Sequence, residues 1–177
     1  MKPQRSLKAR ALQLLAQREQ SRVELRRKLM PHAMAECGAE EVAVACGLDD
    51  VRTPAEAASA AQRVESLLDW LEVHKYLSQE RFVESRVHAR ASRFGNLRIR
   101  SELKQHAVAL SPEVAHLLRD SELERARHVC ARRFDAAALS PAERARQSRF
   151  LAGRGFSPAT IRRVLCGGPP PDEADGD

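Results

Sequence analysis

Apolar residues recur at helical spacing along most of the chain. Leu7, Ala11, Leu14 and Leu15 fall at i, i+4, i+7 and i+8, and Val64, Leu67, Leu68 and Leu71 at i, i+3, i+4 and i+7. Val83, Val87, Ala91 and Phe94 continue the habit, as do Leu123, Ala126, Cys130 and Phe134. No sustained alternation of period two is present. The single candidate strand, residues 42–46, is short, Ala-rich and flanked by acids, and reads as loop or a stray helical turn. The spacing predicts helices over 6–18, 22–30, 54–73, 79–93, 97–107, 112–119, 122–134, 141–152 and 158–165.

Start signals punctuate these stretches. Thr53-Pro54-Ala55-Glu56 and Ser140-Pro141-Ala142-Glu143 have a hydroxyl N-cap, proline at the first helical position and glutamate at N3. Ser21 to Glu24 and Ser121 to Glu124 repeat the box without proline, and Ser111-Pro112 and Ser157-Pro158 are abbreviated forms. Each hydroxyl can accept a backbone N–H that the first helical turn leaves unpaired. Residues 31–52 are long for a connection in a compact domain and read as a mobile insertion. The Pro-rich, acidic residues 167–177 read as a disordered tail.

One helix recurs three times. Ser21-Arg22-Val23-Glu24-Leu25-Arg26-Arg27-Lys28-Leu29 aligns with Gly95-Asn96-Leu97-Arg98-Ile99-Arg100-Ser101-Glu102-Leu103, and again with Ser157-Pro158-Ala159-Thr160-Ile161-Arg162-Arg163-Val164-Leu165. The fifth position is Leu or Ile, the ninth is Leu, and the sixth is Arg26, Arg100 or Arg162. The fifth and ninth form a buried edge one turn apart. The sixth, rotated by about 100°, stands at the rim with its stem on apolar surface and its head in water. Units this small bury little core alone, so neighbours must stack. The expected architecture is all-α, an elongated array of tandem helical repeats.

Charge adds a second layer. The chain of 177 residues carries 30 basic against 24 acidic residues, a net charge of +6. Residues 31–80 hold three basic and ten acidic residues, so positive charge gathers in 1–30, 81–106 and 119–163. Of the basic residues 25 are Arg, whose planar fork suits phosphate or carboxylate. No Gly-rich phosphate loop, nucleophile elbow or HExxH is present, and the carboxylates cluster at helix starts, so no enzyme is expected. His32, Cys37 and Cys46 share the insertion without a closed zinc spacing, and no metal or cofactor is expected. The seven aromatic residues fall mostly at apolar positions, so exposed rings for stacking on single strands are not expected. No apolar run suits a membrane span, and residues 1–15 lack an apolar signal core. Reduced thiols in the cytoplasm are the expectation.

The same residues resemble the RecX family, bacterial regulators of the RecA recombinase. The likeness runs through Ala11-Leu12, Leu14-Leu15 and Arg18 into Ser21 to Leu29, then Leu67-Leu68, Trp70-Leu71 and Tyr76-Leu77-Ser78-Gln79-Glu80-Arg81-Phe82. It continues through Arg93-Phe94-Gly95-Asn96-Leu97-Arg98-Ile99-Arg100-Ser101-Glu102-Leu103 and closes with Arg149-Phe150-Leu151, Arg154-Gly155-Phe156-Ser157 and Ile161 to Leu165. It departs at the insertion and the acidic tail. The resemblance implies tandem three-helix repeats: 1–74 with the insertion 31–52, 75–120, and 121–166. It also implies binding in the groove of the RecA–DNA filament, with inhibition of recombinase, ATPase and coprotease activities. Candidate contact residues on the basic rim are Arg22, Arg26, Arg27, Arg93, Arg98, Arg100, Lys104, Arg154, Arg162 and Arg163. The expected partners are the RecA filament and, without sequence preference, DNA; the chain is expected to act as a monomer. The alternative is a helix-turn-helix-like DNA-binding protein acting without RecA, because helices 6–18 and 22–30 could offer Arg22, Arg26 and Arg27 to a groove. A purely structural scaffold is a third reading.

Overall fold

The structure, a computed structural model, describes residues 6–41, 54–134 and 140–166. Among these the regular structure is helical throughout: α1 (Leu7–Gln17), α2 (Arg22–Glu41), α3 (Pro54–Val73), α4 (Gln79–Ala91), α5 (Asn96–Gln105), α6 (Pro112–Asp120), α7 (Glu122–Ala131), α8 (Pro141–Gly153) and α9 (Pro158–Cys166). The all-α expectation holds, and helix ends fall within three residues of those predicted, with one exception. The chain divides into two units, Met1–Phe82 and Val83–Asp177.

The exception is α2, which does not stop at residue 30 but runs through Pro31 to Glu41. An interior proline removes one helical hydrogen bond at a cost of about 3 kcal/mol. Packing offsets it here. Leu29 and Ala33 are fully buried, Met34 packs on the same core, and Arg63 of α3 donates to Glu36 at 3.1 Å. Residues 31–41 are therefore helix rather than a mobile insertion. The candidate strand 42–46, the Thr53 cap and the tail 167–177 lie outside the described residues.

In the first unit, α1, α2 and α3 close on Leu7, Ala11, Leu25, Leu29, Ala33, Ala60, Val64, Leu68, Leu71 and Leu77. These are the positions that the apolar spacing selects. In the second, Ala126, Val129, Cys130, Leu151, Phe156 and Ile161 form the core beneath α7, α8 and α9. Burial also raises the Cys130 thiol above its ordinary value, so it stays a thiol there.

Most caps form as expected. Ser21 Oγ accepts the Glu24 N–H at 3.1 Å, Ser111 Oγ that of Val114 and Ser157 Oγ that of Thr160, and Ser140 with Glu143 completes a reciprocal box. The Ser121 box does not form. Here α6 runs almost directly into α7, leaving Ser121 in helical conformation, and its hydroxyl donates backward to the Leu117 carbonyl at 2.7 Å.

Three helices end alike. After α3 the N–H groups of Lys75 and Tyr76 return to the carbonyls of Glu72 and Leu71. After α5 those of Ala107 and Val108 return to Lys104 and Leu103, and after α8 those of Gly155 and Phe156 return to Ala152 and Leu151. This paired closure needs a left-handed residue, supplied by Lys75, Ala107 and Gly155 with φ of 59°, 55° and 79°.

The turn before α5 locks onto the turn before α9. Gly95 N–H donates to the Arg154 carbonyl and Leu97 N–H to the Gly155 carbonyl, both at 3.0 Å. A Cβ on Gly95 would stand 2.2 Å from the Gly155 carbonyl oxygen, and one on Gly155 would stand 2.6 Å from the Arg98 Cβ. Beside this contact lies the carboxylate of Glu122, buried at 5% exposure. It accepts from the Asn96 N–H at 2.9 Å, from Ser157 Oγ at 2.9 Å and from Thr160 Oγ1 at 2.8 Å. One carboxylate thus serves the N-termini of α5 and α9, where the helix dipoles favour negative charge. Arg125 completes the cluster, donating to the Asn96 side chain at 2.6 Å and to the carbonyls of Ala91, Phe94 and Leu118.

The aromatic residues do not all lie inside. Trp70 stacks on His74 with centroids 4.0 Å apart and on Tyr76 at 5.7 Å, and Tyr76 is 49% exposed. This corrects the expectation that no exposed ring would be available for stacking.

Candidate basic interface

Of the ten basic residues singled out by the sequence, two are engaged by carboxylates, three gather around one ring, and five do neither among the described residues. In the first unit Arg22 and Arg26 are engaged. Arg22 reaches Glu65 at 2.6 Å, Asp69 at 2.7 Å and Glu72 at 2.9 Å, three carboxylates along one face of α3. Partial burial works against its charge, but these hydrogen bonds hold the guanidinium above its ordinary value. Arg26 stands at the rim, half exposed as its position predicts, with its head on Glu65 at 2.7 Å. Arg27 is exposed. The acids that make 31–80 negative therefore serve partly to clamp α2 to α3. Nearby, Glu24 is 6% exposed and takes Arg18 and Lys28. Burial opposes its charge, yet the two cations hold its carboxyl below the ordinary range.

In the second unit the arginines gather around a ring. The guanidinium carbons of Arg93, Arg98 and Arg154 lie 5.9, 4.7 and 5.8 Å from the Phe94 centroid, with that of Arg90 at 5.7 Å. Cations over a ring face are attracted by its quadrupole. Arg90 is also held by Glu102, at 3.0 and 3.2 Å. Arg93, Arg98 and Arg154 pair with no carboxylate among the described residues. Arg154 instead donates to the Arg93 carbonyl at 3.1 Å and sits 4.9 Å from the Phe150 ring.

Arg93 and Arg154 open onto a cleft of about 440 Å³ lined by Ser92, Arg93, Val129, Arg132, Arg133, Phe150 and Arg154. Among the described residues its lining holds four arginines and no acid. Arg93, Arg132 and Arg133 are exposed. Four like charges around one concavity repel one another, and an anion in the cleft relieves that repulsion. Arg forks suit a phosphate in this setting.

Arg100 and Lys104 line a separate hollow with Leu103, Val108 and Ala115. Arg162 is exposed, and the Nε of Arg163 is buried without a hydrogen-bond partner among the described residues. None of these four lines the arginine cleft. Arg132 and Arg133 escape a reading of the sequence because the repeat directs attention to α2, α5 and α9, whereas they follow α7. Their signal is two adjacent arginines just past a helix end.

What the fold and the cleft define is an all-helical protein built on repeated helices, with a concave arginine surface. Comparison with known proteins makes this specific. The profile of RecX, third three-helix domain, matches residues 120–165. The regulatory protein RecX of Ralstonia nicotianae is 45% identical over 165 residues, covering 92% of this chain and 87% of that protein. That of Herbaspirillum seropedicae is 44% identical over 167 residues, covering 93% and 92%. That of Neisseria meningitidis is 30% identical over 168 residues, covering 93% and 92%. The chain belongs to the RecX family.

Proposed function

We propose that this chain regulates RecA by binding the RecA–DNA filament, as a monomer in the cytoplasm, and that it inhibits recombinase, ATPase and coprotease activities by occupying a surface rather than by catalysis. The observation that carries this reading is the cleft lined by four arginines and, among the described residues, by no carboxylate. A filament groove presents DNA phosphate at regular intervals, and a concave guanidinium cluster fits a phosphate without reading the base beside it. Arg93, Arg98 and Arg154 form the centre of the proposed contact and Arg132 and Arg133 extend it. Arg27, Arg100, Lys104, Arg162 and Arg163 add weaker contacts, and several such contacts on one chain act with avidity. Arg22 and Arg26 are assigned to holding α2 on α3. The three-repeat division at 1–74, 75–120 and 121–166 is part of the same reading.

The test is RecA ATPase on single-stranded DNA with substoichiometric protein added. Inhibition is expected from the native chain, and its loss from R93A/R154A. In direct competition the chain is expected to choose preformed filaments over bare duplexes of scrambled sequence. A single favoured duplex sequence, each wrong base costing about 1–3 kcal/mol, would instead establish the helix-turn-helix reading.

A further inference from the structure

The first unit carries an aromatic stack that the arginine cleft does not involve. Trp70 and His74, one turn apart on and just past α3, are nearly parallel, with centroids 4.0 Å apart and planes at 25°. Tyr76 lies parallel to Trp70 within 17° at 5.7 Å, and Lys8 Nζ stands 3.5 Å from the Trp70 centroid. A core would bury such rings. Here Tyr76 is 49% exposed, neighbouring Val73 is 77% exposed, and His74, Lys8 and Lys75 are exposed.

The stack is held rigidly. The Tyr76 N–H bonds to the Leu71 carbonyl at 2.9 Å as part of the α3 closure. Arg81 then donates to the carbonyls of both Lys75 and Tyr76 at 3.1 Å, while its Nε is fixed by Glu19 at 2.7 Å. His74 Nδ1 lies 2.8 Å from the Trp70 carbonyl; a carbonyl can only accept, so Nδ1 carries the proton. A ring already fixed in place loses little entropy when something stacks on it.

The electrostatics favour a particular guest. Glu65, Asp69 and Glu72 are engaged by Arg22, and Glu19 by Arg81. The exposed ammonium groups of Lys8 and Lys75 are left beside the rings. A flat aromatic face flanked by cations matches an unpaired nucleobase with its phosphates, whereas an apolar peptide side chain would make no use of the lysines.

We propose that Tyr76, backed by Trp70 and His74, is a stacking platform for an unpaired base of single-stranded nucleic acid, with Lys8 and Lys75 meeting the adjoining phosphates. This inference is independent of the filament reading, because it concerns the chain alone with a bare strand.

The test uses the full chain without RecA, a thymidine oligonucleotide, and an abasic strand of equal length and charge. Binding is followed by fluorescence anisotropy at near-physiological salt. The thymidine strand is expected to bind more tightly than the abasic one. Tyr76→Ala should weaken it roughly 5- to 150-fold while leaving the abasic strand unchanged, and Tyr76→Phe should keep native affinity. In the native chain, a strand carrying iodouracil should photocross-link at Tyr76, which decides the matter even if Tyr76→Ala does not fold. Equal affinity for the two strands would mean phosphate binding only and overturn the platform. Cross-links confined to other residues, or a Tyr76→Ala variant defective solely toward RecA protein, would overturn it as well, the latter in favour of a protein partner.

Discussion

Glu122→Ala is the severest test of how the second unit is held together. The carboxylate is 5% exposed and accepts three hydrogen bonds, from the Asn96 N–H, Ser157 Oγ and Thr160 Oγ1. Arg125, half-buried beside it, is pulled below its ordinary value by desolvation, and the Glu122 charge counters this. Alanine would strand a backbone donor and two hydroxyls and would take the nearby countercharge from the half-buried Arg125 guanidinium. The hydroxyls can turn to other acceptors, so the cost is less than a sum of three bonds. Removing one partner from a buried charged pair costs about 3–5 kcal/mol, and that range is the expectation here. It is a large share of the roughly 5–15 kcal/mol that holds a domain folded. Glu122→Gln keeps shape and one acceptor oxygen and should cost about 1–2 kcal/mol. Urea unfolding followed by circular dichroism, with both variants compared at one pH, reads the difference. A Glu122→Ala variant within about 1 kcal/mol of native, or indistinguishable from Glu122→Gln, would show that the carboxylate does not hold the two helix starts together.

Other expectations follow from the same geometry. Arg22→Ala should cost about 1–2 kcal/mol, less in high salt, and leave RecA inhibition intact, whereas R93A/R154A should do the reverse in paired unfolding and ATPase assays. The latter pair should also flatten the salt dependence of single-strand binding, by about 0.7 in log–log slope for each phosphate left unneutralised. Because Glu24 is held below its ordinary value of 4.5, its contribution is complete above that value and fades as pH falls through the lowered one. Glu24→Gln should therefore unfold with a shallower pH dependence than the native chain as pH falls below the ordinary value of 4.5. Two of the three left-handed helix ends, at Ala107 and Gly155, should respond with opposite sign in thermal melts. Ala107→Gly should stabilise by up to about 1 kcal/mol, and Gly155→Ala should destabilise by more than that, since its Cβ would meet Arg98.

Helix positions were legible because local signals and apolar spacing agree: Leu25, Leu29, Val64, Leu68 and Leu71 announce their burial through period alone. Pro31 misled because propensity is local and Ala33, buried against a helix more than twenty residues away in sequence, overrides it. Ser121 misled for a related reason, since its box presumes a chain entering from solvent and α6 arrives there instead. The rim positions of Arg26, Arg100 and Arg162 were legible from the repeat. What their heads would touch was not, because ion pairing is decided by a neighbouring helix that no pattern within one copy encodes. Arg22 reads in the sequence as a contact residue, and in the structure its head lies on Glu65, Asp69 and Glu72. The exposure of Tyr76 was hidden by its place between Leu71 and Leu77, both buried.

Arginines can be positioned in two ways, and the choice decides what reaches the solvent. An ion pair orients a guanidinium and cancels it, as at Arg22, whose charge is taken up by Glu65, Asp69 and Glu72. The face of Phe94 orients Arg93, Arg98 and Arg154 by its quadrupole and removes none of their charge. The consequence is kinetic. Residues 83–177 hold 17 basic and 12 acidic residues, against 13 and 12 in 1–82. A polyanion drifting within a Debye length, about 8 Å at physiological salt, would be captured first by the field around Phe94, before any contact that depends on shape has formed.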